Sequence, residues 1–290
     1  MAQGRAGATR YNEVKQYTSR LNHSTAMVRS ATCLALMSVS VARGAGDRAM
    51  ERQVTFKTSD GWQITGFMQI PASESKVPGV ILVHGSRHES DAYGQVSTPG
   101  LPQTLSQHGV ATLRIDIRGR GASREPREFY AMAPQQREAV RLDIEGAINF
   151  LAAQSAVDAT HIGIIAEQDS ASAAILAGAK DRRVVAYILI SGRLSQSAKE
   201  LIKSSRAALL CLISKEDRRG FKDMNDAYLS SRSDHSRLRV FEGLALGTTM
   251  FSTWRNEFPQ EQPIEEEAGI WLAEMLRTHI ASGNVRRRRG

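Results

Sequence analysis

Short apolar runs and helix-like segments alternate along residues 51–280. The runs are continuous, which is typical of strands buried on both faces, and they predict strands at 77–85, 110–117, 162–165, 184–191, 207–214 and 238–243. Helical periodicity or small-residue composition predicts helices at 101–108, 134–154, 171–178, 195–204, 220–230 and 264–280. Because buried strands separated by helices form parallel sheets, this order predicts an α/β fold with helices on both faces.

Residues 53–70 show a different pattern, with a period of two. Hydrophobic and polar residues alternate on either side of Ser59-Asp60-Gly61, which predicts an N-terminal β-hairpin. After residue 50 the sequence has no internal repeat, low-complexity linker or change of composition. We therefore expect one α/β domain over 51–280, built on a mostly parallel central sheet.

Positive charge is concentrated at the two ends of the chain. The 290 residues carry a formal net charge of +8, but residues 1–45 and Arg286–Arg289 hold ten of the 38 basic residues and one of the 30 acidic ones. The segment between them is close to neutral, so we expect no nucleic-acid binding. Residues 281–290 are predicted to form a solvated basic tail.

Residues 27–45 have the pattern of a secretory signal peptide. Arg29 precedes an apolar run over 31–42, and small residues follow this run. The run is shorter than a membrane-spanning helix, so we expect no stable membrane insertion. A functional signal would send the protein to the periplasm or the extracellular space; without one the protein is expected to be cytoplasmic. Residues 1–26 are expected to be disordered or not translated.

The stretch from His161 to Ser172 carries the strongest functional pattern. A short apolar strand and a small-residue helix are joined by a tight turn, in which Ala166 and Ser170 flank Gln168. Small flanking residues let a strand and a helix approach closely while the central side chain is exposed, an arrangement called a nucleophile elbow. The central residue of such an elbow in a serine hydrolase is serine, and here it is glutamine.

With this elbow and three further landmarks, the chain resembles the α/β-hydrolase superfamily, in particular its dienelactone-hydrolase-like and serine-aminopeptidase-like branch. The landmarks are Val83-His84-Gly85, the loop over 116–121 and Asp217, each of which follows a predicted strand. The resemblance covers nearly all of residues 51–280. It implies an α/β-hydrolase fold and, for the family, hydrolysis of esters or peptides.

The same resemblance implies where catalytic groups would lie. Gln168 is at the nucleophile position, Asp217 at the acid position and Leu246 at the histidine position. The backbone N–H groups of Ser86 and Asp169 match the oxyanion hole. Glutamine has no oxygen that a base could activate, and leucine cannot accept a proton. We therefore expect a degenerate triad in a non-catalytic or ligand-binding protein, without a cofactor, that holds a small acyl or carbonyl ligand at the oxyanion donors.

Two other functions remain open from the sequence. The protein could be an active hydrolase of a small ester, thioester, lactone or peptide with a shifted nucleophile, for which Ser170 is the first candidate. Ser86 paired with His88, or the carboxylate of Asp169, are further nucleophile candidates. Alternatively, the protein could have a structural or partner-binding role, with a pocket filled by its own side chains.

One loop combines several residues that could bind a metal, namely His84, His88, Glu89 and Asp91. No second cluster of histidine or cysteine accompanies them, so we expect a solvated polar loop and no metal site. Asp143, in the predicted long helix, is expected to be exposed or to tether a loop.

Overall fold

The computed structural model describes residues 51–87 and 100–287, with side chains up to residue 278. The predicted signal peptide, the segment before it and the loop residues His88, Glu89 and Asp91 lie outside the described residues. Among the described helices, none has the length and apolar character needed to span a membrane.

An eight-stranded sheet forms the centre of the described part. Its strands are β1 (Arg52–Lys57), β2 (Gln63–Gln69), β3 (Val77–Val83), β4 (Ala111–Ile115), β5 (Val157–Glu167), β6 (Val184–Ile190), β7 (Ala208–Ser214) and β8 (Arg237–Phe241). Their order in the sheet is β1-β2-β4-β3-β5-β6-β7-β8. The hairpin of β1 and β2 is antiparallel and pairs antiparallel with β4, whereas every pair from β4 to β8 is parallel. The predicted N-terminal hairpin and mostly parallel sheet are confirmed.

Helices connect the strands and cover the sheet. They are α1 (Leu101–Gln107), α2 (Pro134–Glu138), α3 (Val140–Ala152), α4 (Ser170–Gly178), α5 (Gln196–Ser204), α6 (Arg218–Ser230), α7 (Thr249–Glu257) and α8 (Ile264–Arg287). Two short 3-10 turns, Gly121–Ser123 and Phe129–Ala131, lie in the connection between β4 and α2.

Alternate side chains of the central strands contribute to two separate cores. In β3, Ile81 belongs to the core that contains residues of α3 and α4, and its neighbour Leu82 belongs to the core that contains residues of α8. Successive side chains of a strand point to opposite faces, so a strand that is apolar throughout must be covered on both. All seven residues of β3 are buried, as the continuous apolar run predicted.

Several elements differ from the prediction. The helix expected over 134–154 is divided at Ala139 into α2 and α3, because α2 buries no residue and only α3 carries the face that packs on the sheet. β5 starts earlier than the predicted strand, at Val157. α7 occupies a segment for which no element was predicted, and α8 continues to Arg287, into the predicted tail.

Candidate functional site

The turn between β5 and α4 has the backbone geometry of a nucleophile elbow. Gln168 is held in the left-handed region, with φ of 48°, which is unfavourable for a residue with a side chain. Its N–H donates to the carbonyl of Ile190 at 2.9 Å, and its own carbonyl accepts from the N–H of Arg193 at 2.9 Å. The structure therefore places Gln168, whose side chain is an amide, at the centre of this turn.

Two glycines flank the Gln168 side chain. A Cβ atom added to Gly85 would lie 3.4 Å from the Gln168 Oε1, and one added to Gly247 would lie 2.8 Å from its Nε2. Gly85 follows β3 and Gly247 follows β8. The amide thus stands between the turn after β3, residues 84–86 (the oxyanion turn), and the loop after β8, residues 244–248 (the histidine-position loop).

Glu167, which the sequence analysis did not single out, joins both of these segments to the elbow. Its side chain is completely buried. Oε2 accepts from the N–H of Gly85 at 3.1 Å, while Oε1 accepts from the N–H and the hydroxyl of Thr248 at 2.7 and 3.1 Å. An acidic residue directly after the apolar run 162–166 is the sequence signal that could have identified it, since a buried carboxylate requires hydrogen-bond donors.

Asp169, on the other side of Gln168, contacts the oxyanion turn through its side chain. Its Oδ1 accepts a hydrogen bond from the N–H of Ser86 at 3.0 Å. The resemblance had assigned this N–H to a ligand carbonyl. In the structure it donates to a carboxylate of the protein itself.

The acid position carries a partner that the sequence analysis also missed. Asp217 is buried at the start of α6, where Oδ1 accepts from the N–H of Gly220 at 2.9 Å. The Arg193 guanidinium, from the loop after β6, lies 3.2 Å from the same carboxylate. A guanidinium therefore pairs with Asp217.

Leu246 stands in the loop after β8, at the position that the resemblance matches to a histidine. Leu246 is 41% exposed, and the next residue, Gly247, donates its N–H to Ser191 Oγ at 2.8 Å. His84 is near but completely buried, which lowers its pKa and keeps it neutral. Its Nε2 accepts from the N–H of Ile117 at 3.3 Å and its Nδ1 donates to the Gly85 carbonyl at 2.7 Å, so both ring nitrogens bind the backbone.

Ser170, the candidate shifted nucleophile, lies in the first turn of α4. It is 3% exposed, and its hydroxyl donates to the carbonyl of His84 at 2.6 Å. Ser86 is also buried, and its carbonyl accepts from the hydroxyl of Tyr130 at 3.4 Å. Neither hydroxyl has an imidazole or carboxylate recorded as its hydrogen-bond partner in the described part, so neither has the activating base that a serine nucleophile needs.

A buried ionic cluster holds the loop after β4 in place near the site. Arg118 donates to Asp143 at 2.7 Å and to Asp60 of the hairpin at 2.7 Å. Asp143 is fully buried. The predicted alternative in which it tethers a loop is therefore confirmed, and the alternative in which it is exposed is wrong. Burial raises the pKa of Asp143 to about 6, although the hydrogen bond from Arg118 acts to lower it. The hydrogen bond from Arg118 to Asp60 lowers the pKa of Asp60 to about 2.

A cleft of about 740 Å³ opens beside the elbow. It reaches the elbow at Asp169 and the oxyanion turn at Ser86. Its apolar lining consists of Ile117, Phe129, Val140, Ala173 and Leu176, and its other serines are Ser170, Ser172, Ser195 and Ser197. Arg137, Glu138 and Arg141 add charge to its rim. An apolar lining with a few polar groups is typical of a small-molecule site.

Within the described residues, no group of three or more histidine, cysteine, aspartate or glutamate side chains could hold a metal ion.

Solved structures of hydrolases share this architecture, although no protein-family model and no curated protein matches the chain. A dienelactone hydrolase from Anabaena variabilis is 16% identical over 80% of this chain and 99% of its own, with a TM-score of 0.58. The 2,6-dihydroxy-pseudo-oxynicotine hydrolase is 14% identical over 79% of this chain and 68% of its own, with a TM-score of 0.61. An esterase domain from a Rhodothermus marinus protein is 15% identical over 78% and 99%, with a TM-score of 0.57. The fold is therefore the α/β-hydrolase fold, of the kind seen in dienelactone hydrolase and esterases.

Proposed function

We propose that this protein uses the α/β-hydrolase fold to bind a small molecule without hydrolysing it. The observation that carries the proposal is Gln168 at the centre of an elbow whose strained backbone is otherwise intact. The neighbouring solved structures are named as hydrolases and esterases. Their reaction needs a nucleophile at this position, and an amide side chain does not provide one.

The groups around Gln168 support the same conclusion. Serine hydrolysis needs an imidazole that takes a proton from the nucleophile and a carboxylate that orients the imidazole. Here Leu246 stands at the imidazole position, and the carboxylate at the acid position, Asp217, pairs with Arg193. Losing one triad member costs several orders of magnitude in rate, so a protein without two of them is not expected to turn over an ester.

We propose the cleft beside the elbow as the binding site. A volume of about 740 Å³ is in the range of small-molecule sites, and its lining combines apolar side chains with hydroxyl groups. The acyl or carbonyl ligand expected from the resemblance would need the N–H of Ser86, which donates to Asp169. The ligand is therefore proposed to lie against the apolar wall formed by α3 and α4.

Hydrolysis is tested on the full-length protein with a fluorophosphonate probe, read by intact mass and peptide mapping, beside hydrolysis of p-nitrophenyl acetate. We expect no adduct and no turnover above the buffer rate from protein that circular dichroism shows to be folded. The Ser170→Ala variant should behave in the same way. An adduct on Ser170, with turnover that disappears in Ser170→Ala, would establish the shifted-nucleophile hydrolase instead.

Binding in the cleft is tested with benzyl alcohol as a neutral probe in ligand-observed NMR. Ala173→Phe places a ring in the cleft and should abolish binding, whereas Ala156→Phe, at an exposed position outside the cleft lining, should leave it unchanged. Equal binding to both variants would contradict the cleft as the site.

A further inference from the structure

Two backbone N–H groups of the oxyanion turn donate to carboxylates from the elbow. Gly85 donates its N–H to Glu167 at 3.1 Å, and Ser86 donates its N–H to Asp169 at 3.0 Å. The two acidic residues flank Gln168 in the sequence, so the elbow supplies an acceptor on each side of the position where a nucleophile would stand. Glu167 is completely buried, whereas Asp169 is exposed to the cleft.

The contact between Ser86 and Asp169 changes what the turn can bind. In a hydrolase such a donor stabilises the oxygen of a substrate carbonyl as negative charge develops on it. The Asp169 oxygen is already an anionic acceptor at 3.0 Å. Hydrogen bonds to ionised acceptors are roughly twice as strong as neutral ones, so a neutral carbonyl oxygen competes poorly for this N–H.

Two hydroxyl groups at this end of the cleft already donate to backbone carbonyls, which leaves each of them able to accept a hydrogen bond from a ligand. The Ser170 hydroxyl donates to the His84 carbonyl, and the Tyr130 hydroxyl donates to the Ser86 carbonyl. A carboxylate has about four lone-pair positions, and the contact with Ser86 uses one of those of Asp169. The Asp169 carboxylate therefore offers the cleft an anionic acceptor.

We propose that Asp169 determines the ligand specificity of the cleft. Its carboxylate blocks the oxyanion turn against carbonyl and carboxylate oxygens, and it accepts a hydrogen bond from an amine or hydroxyl group of the bound molecule. This inference rests on the proposed binding function and names the ligand class as small amines or alcohols with an apolar body. It replaces the acyl or carbonyl ligand that the fold alone suggests.

The test compares benzylamine with benzoate, which share a ring and differ in the charge of the group that would meet Asp169. Dissociation constants are measured by NMR titration on the full-length protein and on Asp169→Ala and Asp169→Asn. Wild type should bind benzylamine at least about tenfold more tightly than benzoate, and Asp169→Ala should reverse this order because its Ser86 N–H is open to benzoate. In Asp169→Asn the amide oxygen can still accept from Ser86 but is a weaker, neutral acceptor, so benzoate should bind more tightly than to wild type and less tightly than to Asp169→Ala, while the preference for benzylamine falls.

A second variant separates this effect from the arginines of the rim. Arg137 is half-buried and lines the same cleft, and Arg141 pairs with Glu145 at 2.8 Å. If benzoate binds wild type as tightly as benzylamine and Arg137→Ala removes that binding, the rim rather than Asp169 sets specificity and the inference is wrong. An unchanged order of affinities in Asp169→Ala, or binding of neither probe to any of the proteins, also overturns it.

A stability measurement tests the blocked turn by itself. Acetate should raise the melting temperature of Asp169→Ala above that in sodium chloride of equal ionic strength, because acetate can occupy the vacated position at the Ser86 N–H. Wild type should show no difference between the two salts. If acetate does not raise the melting temperature of Asp169→Ala, the inference that Asp169 occupies the Ser86 N–H is contradicted. Fluorophosphonate labelling remains the separate test of the absence of hydrolysis.

Discussion

At the scale of single residues, Gln168 has the strained backbone conformation that exposes the central side chain of a nucleophile elbow. Its own side chain is an amide. A left-handed conformation costs a residue with a Cβ roughly 1–2 kcal/mol, and φ at Gln168 is 48°. Hydrogen bonds to Ile190 and Arg193 hold the peptide groups on both sides of its Cα. The conformation is thus fixed by the surrounding strands and loops rather than by the side chain.

This strain predicts that Gln168→Gly is more stable than Gln168→Ala by about 1 kcal/mol, because glycine adopts a positive φ without steric cost. The difference is measured from the urea midpoints of the two variants, which both lack the glutamine amide and so form a matched pair. Equal midpoints would show that the residue leaves the left-handed region in solution.

Glu167 is the residue whose loss should disturb the site most. Its buried carboxylate accepts three hydrogen bonds, from Gly85 and from two groups of Thr248. Glu167→Ala leaves these donors buried without an acceptor, so we expect the free energy of unfolding to fall by about 3 kcal/mol or more. Denaturant unfolding provides the measurement, with Glu274→Ala, an exposed glutamate on α8, as the control. A loss below about 1 kcal/mol would mean that water or a rearranged loop satisfies the donors.

At the scale of secondary-structure elements, the ionic cluster around Arg118 connects the hairpin, the loop after β4 and α3. The guanidinium is 2% exposed, and it reaches Asp60 near the hairpin turn as well as Asp143 on α3. The two carboxylates differ in exposure, because Asp143 is buried and the Asp60 side chain is 39% exposed. Asp60 is therefore the member of the cluster that exchanges protons readily with solvent.

The lowered pKa of Asp60 predicts a contribution to acid stability. Its folded value of about 2 lies below the ordinary value of 3.8, so the unfolded chain binds more protons between these values. The stability that Asp60 contributes is present above about pH 4 and is lost as the pH falls towards 2. The difference in unfolding free energy between wild type and Asp60→Asn should therefore shrink over this range, by a modest amount because the pair is partly exposed. A difference that stays constant from pH 5 to pH 2 would contradict the prediction.

The elements also show what the sequence could predict. Continuous apolar runs identified the parallel strands because those strands are buried on both faces. α7 was not predicted; Thr248 before it is a residue type that often caps helices, but its hydroxyl donates to Glu167 instead of accepting from the helix. The elbow was identified from local spacing, whereas Glu167 and Arg193 were not, because their contacts join segments that lie far apart in the sequence. Periodicity gives no information about such contacts.

At the scale of the whole molecule, the residues matched to the triad and the oxyanion hole, with their partners, come from five segments that the fold brings to one edge of the sheet. Gln168 lies after β5, Leu246 after β8 and Asp217 after β7. Arg193, from the loop after β6, pairs with the acid position, and Asp169 occupies the Ser86 N–H of the turn after β3. Restoring the nucleophile and histidine alone would leave the last two contacts in place.

Stepwise restoration tests whether these contacts oppose catalysis. We expect Gln168→Ser, alone or with Leu246→His, to hydrolyse p-nitrophenyl acetate within about tenfold of the wild-type background, since the acid and the oxyanion donor remain engaged. Adding Asp169→Ala and Arg193→Ala should together raise the rate about hundredfold or more, because the first frees an oxyanion-hole donor, which contributes about 10²–10³ in rate, and the second frees Asp217 to orient the new imidazole. The control replaces Arg193→Ala with Arg219→Ala, at an exposed position on α6, and should not reach this rate. If the double variant already matches the quadruple one, the contacts of Asp169 and Arg193 are no barrier to catalysis, and the proposal that they oppose it is wrong.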